Sequence, residues 1–322
     1  MSVGTNAFPP FKIGAKRFDE SNFYGRFRNT LIQYDVTKMA YGNDELEQAK
    51  QLIEDYKNGR KASDQSLWDA QELLQARCHP DNGEIIQPLL CFAAYVPMQP
   101  IIILGLIWPG GSALNQAIFQ FGNQSYNAGV NYANKNKSSV MTNAELGQAF
   151  VGSVGTAIGL SVGMVKLGQK LKHPVVAGSA GFVGCVGAGW ASLLFMRANE
   201  IRDGVDVKDE DGLVHGRSQT AAKEGIAKCC AARVIWNIPA TGVVPFAFAI
   251  YSRSSFNTRF PRISVPVHTA MITVGVAMGV FPGQALFTQN SEIAPSALEP
   301  QFLNCKRADG SPVRTFTYNK GL

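Results

Sequence analysis

Between Gln116 and Asn134 the chain carries seven side-chain amides in a rhythm of three to four residues, at Gln116, Gln120, Asn123, Gln124, Asn127, Asn131 and Asn134. At about 100° per residue this spacing gathers them on one face of a helix. An amide offers an acceptor and two donors without a charge, so such a row can hold a small polar or zwitterionic solute, or tie neighbouring helices together. Buried without partners, at about 1–3 kcal/mol each, the row would cost on the order of 7–20 kcal/mol against lipid, so it must face protein groups or water. Two readings stay open. In one, Gln120, Asn123, Gln124, Asn127 and Asn131 line a solute path; in the other they are interhelical glue.

Further on, Arg233 and Asn237 precede Pro239 and Pro245 in an otherwise apolar segment. Two prolines free backbone carbonyls, and the spacing predicts a break beside Asn237 of the kind that places solute sites in membrane helices, or a plain kink. Arg233, with Lys228, is positioned to meet a carboxylate. His79-Pro80-Asp81-Asn82-Gly83-Glu84 combines a proline that biases His79 away from helix with Asp-Asn-Gly turn chemistry. It reads as a tight turn or as a polar gate. A metal site from His79, Asp81 and Glu84 has no second histidine or cysteine cluster behind it, and the six cysteines show no CxxC spacing. His268 is expected to make ordinary hydrogen bonds near a span end. With no nucleophile–base pair or phosphate loop, the expectation is a non-enzyme without cofactor or catalytic residues.

The elements that must position these groups are apolar. All 30 basic and 24 acidic residues lie outside five windows, at 85–134, 146–165, 173–196, 234–252 and 263–291. A bilayer span needs roughly 20 uncharged, mostly apolar residues, and each window is long enough or nearly so. The mean hydropathy of −0.02 hides this by averaging spans with charged segments. The predicted fold class is all-α, a polytopic helical membrane protein with five to six spans. The first window is punctuated at Pro109-Gly110-Gly111, giving a span over 85–108 and a helix over 112–134. Glycine ridges at Gly155, Gly159 and Gly163, at Gly178, Gly181, Gly184 and Gly187, and at Gly275, Gly279 and Gly283 predict close helix packing.

Residues 1–84 read as a water-facing helical cap, 85–291 as the membrane domain and 292–322 as a C-terminal tail. In the cap, Leu46, Ala49, Leu52, Ile53 and Tyr56 recur at helical spacing, and a second helix runs from about Asp64 to Cys78. No useful strand-like alternation is visible. The start of the chain lacks a continuous apolar stretch, which argues against a secretory signal. The net charge of +6 comes without basic clusters interleaved with aromatics, which argues against nucleic acid as a partner. Basic loops at 166–173 (Lys166, Lys170, Lys172) and 252–264 (Arg253, Arg259, Arg262) carry no acid and are expected on one membrane face.

The hexapeptide His79–Glu84 resembles the HPDTGE signature of the sideroflexins, with Asn82 in place of threonine. The similarity continues through Phe18-Asp19, Gly25-Arg26, Asn123-Gln124-Ser125-Tyr126-Asn127-Ala128, Arg259-Phe260-Pro261 and the closing Asn319-Lys320-Gly321-Leu322. This resemblance implies a multi-pass protein of the mitochondrial inner membrane that carries serine or a similar small neutral amino acid for one-carbon metabolism. A neutral amide row suits a zwitterion better than a polyanion. A non-transporting accessory subunit of a larger inner-membrane complex, with unknown partners, is the alternative.

Overall fold

Backbone groups in lipid must close their hydrogen bonds internally, and the charge-free windows do so as α-helix. The computed structural model describes residues 9–79, 83–108, 112–134 and 142–320, apart from the side chains of Asn131, Asn134 and Asn143. The chain divides into two compact units, Met1–Ile102 with Ser125–Val140, and Ile103–Gln124 with Met141–Leu322.

The first unit begins with α1 (Phe23–Gln33), α2 (Asn43–Lys57) and α3 (Asp64–Arg77), and includes the start of α4 (Tyr95–Leu106). Helices α2 and α3 are the two expected in the cap; α1 is additional. The apolar faces of α2 and α3 meet in a buried cluster of Leu46, Ala49, Ala70, Leu73 and Cys78. Phe11 inserts against Tyr56 and Trp68, with ring centroids 5.3 and 5.0 Å away. Its N–H donates to Asp64 Oδ1 at 2.9 Å, which fixes the preceding segment along α3. Buried Arg77 donates through Nη1 to the carbonyls of Lys38 and Tyr41 at 3.0 and 2.8 Å, so the α1–α2 connection is held by α3.

The second unit contains α6 (Asn143–Lys170), which follows α5 (Ala113–Asn134), then α7 (Pro174–Gly178), α8 (Ala180–Met196), α9 (Ala198–Asp203), α10 (Gln219–Asn237), α11 (Val244–Ser252), α12 (Ser255–Arg259) and α13 (Ser264–Ala285). Thr142 and Glu145 start α6 with a reciprocal cap: Thr142 Oγ1 accepts from Glu145 N, and Glu145 Oε2 accepts from Thr142 N at 2.7 Å. Three helices among the described residues are long and apolar enough to cross a membrane, Ala144–Lys170, Gln219–Ser252 and Pro261–Ala285; Phe92–Leu106 and Ala180–Met196 are apolar but shorter.

Two windows differ from expectation. The stretch 85–108 is helical only in its second half, because Pro88 opens a short 3-10 turn and the α-helix begins at Tyr95, with Pro97 in its first turn where a missing N–H costs little. The window at 173–196 is interrupted at Ser179, between α7 and α8.

A small sheet is a further correction to the expected absence of strands. Strands β1 (Val205–Lys208), β2 (Val214–Ser218), β3 (Asn290–Ile293) and β4 (Phe316–Asn319) pair antiparallel in the order β2-β1-β4-β3. The segment after α13 thereby folds onto the α9–α10 connection around Val207, Ile293, Phe302, Phe316 and Tyr318. The acidic run after β1 becomes the hairpin turn. Asp209 Oδ1 accepts from Asp211 N and Leu213 N at 3.0 and 2.9 Å, and Gly212 takes a φ of +84°.

Candidate functional site

Helix α5 carries the amide row, and its first half acts within the second unit. The last carbonyls of α4 lack intrahelical donors, and α5 supplies them: Asn115 Nδ2 donates to Gly105 O at 2.6 Å, and Gln116 Nε2 donates to Leu106 O. One turn on, Gln120 Nε2 donates to Ser161 Oγ of α6 at 2.8 Å, and Ser161 Oγ donates to Ala180 O of α8 at 3.0 Å. Asn123 Nδ2 reaches Cys185 Sγ of α8 at 3.6 Å. Gly184 makes the three-helix meeting possible, since a Cβ there would overlap Ser161 Oγ and Gln120 Nε2.

These bonds fix which atoms remain. Leu106 O can only accept, so Gln116 must present its nitrogen there. Ser161 commits its hydrogen to Ala180, so Gln120 must donate to it. The carbonyl oxygens Gln116 Oε1 and Gln120 Oε1 are left buried without a hydrogen-bond partner among the described residues. They stand four residues apart on one helix face, two acceptors one turn from each other. The pair could receive an ammonium, which has three donors and no acceptor.

Gln124 is buried as well. In the first unit, Asn127 Oδ1 accepts from Gln99 Nε2 of α4 at 3.4 Å. The side chain of Asn131 lies outside the described residues. The row therefore includes four interhelical ties, at Gln116, Gln120, Asn123 and Asn127, and two open acceptors.

Arg233 and Asn237 stand at the end of α10. Arg233 is half-buried with its guanidinium over the Trp236 ring at 5.5 Å, and its stem lies against Gly189 of α8. Gly189 is five residues, about 7.5 Å of rise, beyond Gly184, so α8 meets the α5 amides and Arg233 at successive levels. Pro239 and Pro245 do not unwind the span. The segment Ile238–Val243 is a π-helical turn joining α10 to α11. Asn237 Nδ2 donates to Arg233 O at 2.7 Å and Thr241 Oγ1 to Asn237 O at 2.8 Å, so side chains satisfy carbonyls around the irregular turn.

Helix α13 packs against this turn through its glycine ridge: Gly275 faces Ala240, and Gly279 and Gly283 face Trp236. The ridge Gly155, Gly159, Gly163 behaves otherwise. Among the described residues no atom outside the helix's own backbone lies within 4 Å of where a Cβ would stand, so this ridge packs on none of them. His268 also departs from expectation, since neither ring nitrogen has a hydrogen-bond partner among the described residues.

The signature loop belongs to the first unit. His79 N donates to Glu84 O at 2.8 Å and Gly83 N to His79 O at 3.0 Å, Gly83 takes φ +66°, and Cys78 bridges Ile85. His79 is buried and Glu84 half-buried. These bonds bring the two ends of the loop together just after α3; Pro80, Asp81 and Asn82 lie outside the described residues. Among the described residues no group of three or more His, Cys, Asp or Glu could hold a metal ion.

Apolar helices of spanning length, tied to each other by amides and glycines, define an α-helical membrane protein. Residues 12–322 match the family model described as Sideroflexins. The chain is 34% identical to a sideroflexin of Dictyostelium discoideum over 99% of both chains. It is 33% identical to sideroflexin-5 of Rattus norvegicus, over 98% of this chain and 93% of the relative, and 30% identical to sideroflexin-1 of Sus scrofa over 98% of both. The chain belongs to the sideroflexin family. No solved structure matches it.

Proposed function

We propose that this protein is a non-enzymatic carrier that moves serine or a similar small neutral amino acid across the mitochondrial inner membrane, for use in one-carbon metabolism. The observation that carries this reading is the pair Gln116 Oε1 and Gln120 Oε1, buried acceptors without partners among the described residues. Such atoms are costly unless something donates to them, and an amino acid's ammonium does so without requiring a buried carboxylate. Gln124, Asn127 and Asn131 continue the path, Arg233 is the candidate partner of the substrate carboxylate, and the π turn by Asn237, Pro239 and Pro245 is where the span bends. The His79–Glu84 loop is the candidate gate.

In this reading the shorter apolar helices Phe92–Leu106 and Ala180–Met196 also cross, alone or with their flanking turns, giving five to six spans; lipid is the surrounding partner and nucleic acid is not one. The test is uptake of labelled serine into liposomes holding the purified protein: saturable uptake absent from empty liposomes is expected, and none overturns the reading. A non-transporting accessory subunit is supported by different observations, the amides spent on interhelical ties and the unpacked ridge Gly155, Gly159, Gly163. It predicts no uptake and comigration with a large membrane complex on native electrophoresis.

A further inference from the structure

His268 lies in the second turn of α13 and is wholly buried. Its ring is stacked parallel on Phe248 of α11, centroids 3.6 Å apart, with the Trp108 ring 6.5 Å away. Among the described residues Nδ1 and Nε2 are both without a hydrogen-bond partner, and one turn beyond Phe248 the Tyr251 hydroxyl is buried in the same condition. Buried polar atoms in folded proteins are nearly always paired, and an ionisable residue inside a membrane span is expensive, so this ring calls for a physical reason.

The surroundings favour the neutral ring. From α11 the titratable neighbour is Tyr251; Phe248 and Trp108 carry no charge. The π turn Ile238–Val243 has no titratable residue. The segment joining α11 to α13, with the turn Pro261–Ile263, brings Arg253, Arg259 and Arg262 and no acid. The charged residues of α10 all precede Trp236, which packs on Gly279 and Gly283. Gly279 is eleven residues, about 16 Å of rise, along α13 from His268. An imidazolium in the stack would therefore stand desolvated with no counter-charge and with a cationic loop beyond it. Only the face of the Phe248 ring could offset that charge, so protonation weighs against this packing.

We propose that His268 is a proton-binding site, and that H⁺ is the ion coupled to the conformational cycle of the carrier; the second part rests on the transport reading above. A ring nitrogen's lone pair takes H⁺ from water on one side. The imidazolium leaves the Phe248 stack, opening that end of the α11–α13 hairpin, and loss of H⁺ to water on the other side lets the ring return. No electron transfer or further reactant is involved.

The chain has four histidines, His79, His173, His215 and His268, so histidine-labelled protein in lipid nanodiscs gives four imidazole signals in NMR, and His268→Gln assigns one by removing it. At neutral pH that signal is expected to be a neutral imidazole shifted upfield by the Phe248 ring, and on acidification its protonated form should appear only with loss of the upfield shift. Phe248→Leu, which keeps the imidazole, should remove the upfield shift at every pH, and it serves if His268→Gln fails to fold. In liposomes, an inwardly directed proton gradient is expected to raise wild-type serine uptake several-fold, and in His268→Gln the ratio of uptake with and without the gradient should fall to about one. An imidazolium that keeps its ring shift, or an unchanged gradient ratio in His268→Gln, overturns the proposal. Absence of wild-type serine uptake alongside the coupled NMR change overturns the transport reading instead, and leaves the proton site standing.

Discussion

Glu299 accepts a hydrogen bond from the backbone N–H of Thr220 at 2.8 Å and another from Ser218 Oγ at 2.7 Å, so a residue after the last span completes the N-terminal cap of α10. Burial by itself would raise the Glu299 carboxyl, but these bonds, with one from Thr220 Oγ1, outweigh it and hold the group down to about 2. The folded value lies below the ordinary value of 4.5. The stabilisation is therefore complete above pH 4.5 and is lost as pH falls through about 2. Glu299→Gln is expected to destabilise the protein at neutral pH by about 1–2 kcal/mol and to remove that part of its acid sensitivity, as read by thermal melting in detergent between pH 7 and pH 2. An unchanged melting curve across that range would contradict the cap.

Gly184 and Gly155 provide a paired test of the helix contacts. Gly184→Ala drives a methyl into Ser161 Oγ and Gln120 Nε2 and should cost about 1–3 kcal/mol. Gly155→Ala meets nothing within 4 Å and, by improving helix propensity, should be neutral or stabilising by up to about 1 kcal/mol. Melting temperatures of the two variants check the ranking; equal losses would mean that Gly155 packs after all.

The two open acceptors can be separated from the ties by substitution. Gln116→Leu and Gln120→Leu remove an acceptor and a donor together. Ser161→Ala removes the ties that α6 makes to α5 and to α8 but leaves both acceptors in place. If the acceptors hold substrate, both leucine variants should reduce serine uptake at least tenfold while Ser161→Ala reduces it little, at matched abundance. A loss that follows melting temperature across all three variants would favour glue. Leucine replacements of Gln124, Asn127 and Asn131 extend the comparison along the row.

Straightening the second long span tests whether its irregularity serves movement. Pro239→Ala with Pro245→Ala restores two backbone donors and should convert the π turn toward regular α-helix. Slower serine uptake by a protein that still folds is the expected result. Normal uptake would remove the reason for placing a bend there.

The parts of this fold legible in the sequence are those where one periodicity runs long enough to dominate. Leu46, Ala49, Leu52, Ile53 and Tyr56 mark α2, and the amide row marks α5 nearly to its ends. Helix α1 escapes because Phe23, Tyr24 and Leu31 are exposed, so its apolar residues do not outline a buried face. The strands escape because each has only four or five residues, although Val205-Asp206-Val207-Lys208 and Phe316-Thr317-Tyr318-Asn319 do alternate. At the candidate site, residue types were readable but pairings were not. Nothing in the sequence indicates that Ser161, on a separate helix, orients Gln120. The prolines suggested a broken span, yet Asn237 and Thr241 recapture the carbonyls locally, a satisfaction that depends on side-chain direction rather than on composition.

The π turn between α10 and α11 also sets a phase. A helix that passes through such a turn takes in one residue beyond the regular count, and one residue corresponds to about 100° of azimuth. Upstream of it the Trp236 backbone lies against Gly279, and downstream the Phe248 ring lies on His268, two contacts on the same partner helix that a single uninterrupted screw of the same residues would not both satisfy. Winding all six residues of Ile238–Val243 as regular α-helix would leave every side chain of α11 intact and turn the whole helix more than a quarter circle, carrying Phe248 off the imidazole.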